Sequence, residues 1–92
     1  MRNLRTIKKY VEFLVAELVY DCFIYLELNG EENMEKVGEI IGAALDLQDD
    51  TMDKINHRPE EEKADKYYKK VTKEFVESID ALYEKLSDIS KK

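Results

Sequence analysis

Apolar residues recur at steps of three and four along almost the whole chain, the spacing of a single helix face. A first helix, over about residues 3–29, carries Leu4, Ile7, Val11, Leu14, Leu18, Cys22 and Tyr25 as its inner stripe. Asn29-Gly30 stops it, because glycine takes the left-handed conformation that closes a helix. A second helix, over about 34–56, carries Met34, Val37, Ile41, Ala44, Gln48, Met52 and Ile55, with Asn33 placed as its N-cap. Arg58-Pro59 interrupts the pattern. The residue before a proline avoids helical geometry, and proline suits the first turn of a new helix. A third helix is therefore expected over about 59–89, with Glu60, Glu61 and Glu62 at its start, where the helix dipole favours anions. Its inner stripe is Ala64, Tyr68, Val71, Phe75, Ile79, Leu82, Leu86 and Ile89.

Three Gly and one Pro leave little material for a strand-and-turn fold, so the expected class is all-α. At 1.5 Å per residue the helices measure roughly 40, 34 and 46 Å. The two connections are short, which makes neighbouring helices antiparallel. The expected fold is one domain over residues 1–92, an up-down-up three-helix bundle of long helices.

Charge supports that topology and narrows the partners. The net charge is -6, and residues 30–56 hold all of the excess, with eight acids against Lys36 and Lys54. In an up-down-up bundle, Asp46, Asp49, Asp50 and Asp53 fall near Arg2, Arg5, Lys8 and Lys9. The same acids fall near Lys63, Lys66, Lys69, Lys70 and Lys73, so opposite signs meet. An acidic chain without an Arg-rich stripe repels phosphate backbones and anionic membranes, so neither nucleic acid nor membrane is an expected partner. Residues 13–28 are the most apolar stretch, but Glu17, Asp21 and Glu27 make it too costly as a membrane span. No signal-peptide pattern is visible, and the lone Cys22 fits a soluble cytoplasmic protein.

The first helix is apolar on more than one face. Phe13, Ala16, Tyr20 and Phe23 follow at steps of three, four and three, on the side roughly opposite Leu14, Leu18 and Tyr25. Two neighbouring helices cannot cover both sides. The main expectation is a non-catalytic self-association or protein-interaction module that uses this second stripe. A homodimer is the simplest assembly, and a helical protein is the alternative partner. The competing arrangement makes the first helix central, with its second stripe packed on the third helix at a skewed crossing.

Gly38 and Gly42 lie one turn apart in the second helix, each costing about 1 kcal/mol against Ala. They are expected to mark the tightest helix contact. A second use of the same glycines, with Ala43, is as the floor of a slot for an apolar small ligand, filled or bordered by tyrosines of the other helices.

Little else carries chemistry. Cys22 lies on the inner stripe as a small hydrophobe, and the single His57 lies in a turn, so no two-His metal or haem site exists within the chain. No cofactor is expected. The remaining material is acidic. Glu31-Glu32-Asn33-Met34-Glu35 reads Glu-Glu-x-x-Glu, and Glu77-Ser78-Ile79-Asp80 reads Glu-x-x-Asp. These nine residues resemble the magnesium-binding signature of the all-α nucleoside triphosphate pyrophosphohydrolases. The resemblance implies, as an alternative function, Mg²⁺-dependent hydrolysis with Glu31, Glu32, Glu35, Glu77 and Asp80 as ligands. A turn near Arg58 would set Glu35 level with about Ala81, bringing the two groups to one end of the bundle.

Overall fold

The computed structural model describes residues 4–30 and 32–91. They form three helices, α1 (Leu4–Asn29), α2 (Met34–Asn56) and α3 (Ala64–Ser90), laid side by side in a rod of 48 × 18 × 16 Å. The direction alternates at each connection, giving the up-down-up three-helix bundle. Among the described residues there is no strand. Nor is any helix among the described residues long and apolar enough to cross a membrane.

The first connection closes as its residues dictate. Gly30 takes φ +68°, and Asn29 donates from its side chain to the Tyr25 carbonyl at 2.9 Å. Asn33 holds the N-cap position of α2 but does not cap it. Its backbone is left-handed, at φ 69°, and its side-chain amide donates instead to the Tyr25 hydroxyl at 3.0 Å. Asparagine tolerates that conformation because its short polar side chain finds a local partner. The result ties the start of α2 to the end of α1.

The second connection differs from the expectation. α3 begins at Ala64 rather than Pro59, and residues 57–63 form an irregular loop. The Glu62 N–H donates to the Pro59 carbonyl at 3.1 Å, closing a single turn, and the Arg58 guanidinium takes the Glu62 carbonyl. Lys63 is extended, at φ -68° and ψ 135°, so the turn does not propagate into α3. The glutamates therefore lie in the loop, and Asp65 is the acid in the first turn of α3.

The core is one apolar cluster running the length of the rod. α1 contributes Ile7, Val11, Val15, Leu18 and Cys22; α2 contributes Val37, Ile40, Ala44 and Ile55; α3 contributes Tyr67, Val71, Phe75, Ile79 and Leu82. The expected stripes hold in period and shift in phase. Val15 is more deeply buried than Leu14, Ile40 than Ile41, and Tyr67 than Tyr68, while Leu4, Met34 and Ala64 stay exposed. The Tyr67 hydroxyl donates to the Lys54 carbonyl at 2.9 Å, and the Tyr68 hydroxyl reaches the Ile55 carbonyl at 3.5 Å. These are carbonyls of the last turn of α2, which have no partner within their own helix.

Candidate self-association surface

The broadest unpartnered apolar surface is the outer side of α1. Phe13, Tyr20 and Phe23 keep 58%, 64% and 57% of their surface exposed, and Ala16 between them is exposed as well. Their positions follow from the helix itself. With Ile7, Val11, Val15, Leu18 and Cys22 turned inward, residues 13, 16, 20 and 23 fall on the far side at 100° per residue. The skewed arrangement that would hide this stripe against α3 is therefore not adopted. Instead α1 meets α3 along another flank, where Asp21 and Glu17 stand beside Tyr83. Burial first, then these two carboxylates, raise the Tyr83 hydroxyl above the ordinary tyrosine value.

Ile24 borders the stripe on α1, while Met34 and Leu45 of α2 are about half exposed. The side of α2 facing α3 is known from the groove shared by Ile40 and Ala43 with Leu82 and Ile89. Met34 and Leu45 lie on the opposite flank of α2, on the side of α1. The sequence carried a signal for this extension, because Met34, Ile41 and Leu45 follow helical steps alongside Gly38.

The glycines do not mark a close helix contact within the protomer. Gly38 and Gly42 are exposed, and a Cβ at either position would meet no heavy atom of a neighbouring element within 4 Å. Ala43 lines grooves shared with Leu82 of α3. A further cleft, of about 640 Å³, is lined by Leu4, Arg58, Asp65, Tyr68 and Lys69, where the starts of α1 and α3 meet the second connection.

The acidic residues are not assembled. Glu31 lies outside the described residues, and Glu32, Glu35, Glu77 and Asp80 are all exposed. Ala43, Asp46 and Leu47 share a groove with Ser78, Ala81 and Leu82. That register sets Glu35 beyond Leu86, well past Asp80; a separation of about ten residues along α3 is roughly 15 Å. The long second connection causes the shift, because the chain turns several residues after Arg58. Among the described residues no group of three His, Cys, Asp or Glu side chains could hold a metal ion.

Cys22 is fully buried as a free thiol, and burial, then Asp21, pushes it above its ordinary value. A thiol kept protonated is a poor nucleophile. His57 is exposed at the end of α2, where Nδ1 lies 2.9 Å from the Asp53 carbonyl and 3.1 Å from its carboxylate. It holds the C-cap position of α2. In comparisons with family models, curated proteins and solved structures, the chain matches none.

Proposed function

We propose that this protein is a non-catalytic helical self-association module, a homodimer held by the outer face of α1. The observation that carries the reading is the exposure of three large rings, Phe13, Tyr20 and Phe23, on one stripe. A ring of this size buries 150–250 Å² when fully covered, so each has about 100 Å² left to lose. At about 25 cal/mol per Å², each contributes about 2.5 kcal/mol on burial. Six rings across two protomers bring a gain of the same order as the loss of translational and rotational freedom on association, about 4–15 kcal/mol. A lone buried cysteine and a net charge of -6 support a protein-binding role in the cytoplasm over one on nucleic acid.

The test is the mass in solution at micromolar concentration, by sedimentation or light scattering. A dimer is expected, and Phe13→Ser with Phe23→Ser is expected to return it to a monomer while circular dichroism stays helical. A strict monomer in the wild type overturns the reading, as does an unchanged mass in the double variant.

A further inference from the structure

The stripe on α1 extends beyond its apolar centre, and its ends are charged. Lys9 and Glu27 continue the row, so that Lys9, Phe13, Ala16, Tyr20, Phe23 and Glu27 follow at steps of four, three, four, three and four. All six are exposed, and among the described residues neither Lys9 nor Glu27 takes part in an ion pair. The row is also symmetric in content. Lys9 and Glu27 lie nine residues on either side of Leu18, Phe13 and Phe23 five, and Ala16 and Tyr20 two.

We infer that two copies of this chain pair through α1 in antiparallel orientation, about a two-fold axis level with Leu18, so that Lys9 of each protomer meets Glu27 of the other. This rests on the self-association proposed above and specifies its geometry. In this register Phe13 packs against the partner's Phe23, and the Tyr20 ring covers the partner's Ala16, a large side chain over a small one. The parallel register keeps Phe against Phe but is worse at the other four positions. It sets Lys9 against Lys9, Glu27 against Glu27 and Tyr20 against Tyr20, and it leaves a gap between the two Ala16.

The dipole of α1 argues the same way. α1 has no acid in its first turn and no base in its last. Its own charges run against its macrodipole, with Lys8 and Lys9 near the N-terminus and Glu27 near the C-terminus. An antiparallel mate brings its Glu27 close to the N-terminal part of α1 and its Lys9 close to the C-terminal part. The partner thus supplies at each end the charge that the helix lacks, and the two dipoles oppose.

The orientation is read by cross-linking. In a Cys22→Ala background, Lys9→Cys and Glu27→Cys proteins are prepared separately, then oxidised alone and as a mixture. At 1.5 Å per residue the two Lys9 positions lie about 27 Å apart in the antiparallel seam. Cross-linked dimer is therefore expected from the mixture and not from either protein alone. Cross-linking of each protein by itself, or none in the mixture, overturns the antiparallel seam. Charge exchange in the native Cys22 chain gives an independent answer if the Cys22→Ala background does not fold. Lys9→Glu alone and Glu27→Lys alone are each expected to raise the dimer dissociation constant about tenfold, and the double exchange to restore it to within about threefold. Single exchanges without effect, or a double exchange that does not restore affinity, overturn the proposal. A wild-type chain that sediments as a monomer removes the self-association reading with it. A dimer with the wrong cross-links removes only the orientation.

Discussion

α1 and α3 are nearly equal in length, at 26 and 27 residues, and share one core, yet they treat their outer sides in opposite ways. α3 turns Val71, Phe75, Ile79 and Leu82 inward and presents Lys69, Lys70, Lys73, Glu74, Glu77 and Asp80 to water. Among the described residues none of its large apolar side chains is exposed. α1 buries an equally continuous stripe and still exposes Leu4, Tyr10, Phe13, Tyr20, Phe23, Ile24 and Leu28. α3 shows what the protomer needs from a helix, one apolar face and one polar face. The rings on the far side of α1 lie outside the core cluster, and the proposed dimer gives them a use.

The sharpest way to test that contrast is to delete one ring from each helix. Phe75→Ala removes a side chain that is 1% exposed and is expected to cost about 3–5 kcal/mol in denaturant unfolding. Phe13→Ala removes a ring of the same type from the outer stripe. Measured at a concentration where the chain is monomeric, it is expected to change stability by no more than about 0.5 kcal/mol. Equal losses at the two positions would erase the distinction between the faces.

A smaller effect of opposite sign is expected on α2. Gly42→Ala adds a methyl group where nothing stands within 4 Å, in ordinary helical backbone. It should stabilise the monomer by about 1 kcal/mol, read as a rise in melting temperature. Tyr67→Phe is expected to cost about 1 kcal/mol, because it removes the hydroxyl that satisfies the Lys54 carbonyl at the end of α2. The comparison variant Tyr20→Phe, on the outer stripe, should leave the monomer unchanged.

The smallest expected effect is confined to alkaline solution. The folded state holds the Tyr83 proton more tightly than the unfolded chain does, through burial and then Asp21 and Glu17. The stability this confers is complete below the ordinary tyrosine value of 10.0 and is lost as pH rises from there through the raised folded value. Tyr83→Phe should flatten the decline in melting temperature above pH 10. An unchanged alkaline slope in Tyr83→Phe would show that Tyr83 is not held buried beside Asp21 and Glu17 in solution.

Much of this architecture was legible along the chain. Helical spacing and the Asn29-Gly30 stop place α1 and α2 to within a residue at each end in the described chain. Pro59 misleads, because it is compatible with a helix start and with a tight turn, and the chain takes the turn and then extends at Lys63 before α3 begins. The surplus stripe on α1 could be read from spacing alone. The acidic groups could not be judged that way. Their separation depends on where the second connection turns, and a few residues of loop displace every facing pair on α2 and α3.

Periodicity settled that the chain makes three helices, where two of them stop and that one carries more apolar surface than a bundle can cover. It did so because those properties depend on residues within one or two turns of each other. Phase was left to packing. Leu14 and Val15, Ile40 and Ile41, and Tyr67 and Tyr68 are adjacent apolar pairs, so local spacing fits either member, and only the direction of the neighbouring helices chose Val15, Ile40 and Tyr67 for the core. The same packing left Gly38 and Gly42 facing open space and kept the carboxylates apart, because contact between helices depends on the relative placement of whole elements rather than on any run of the chain.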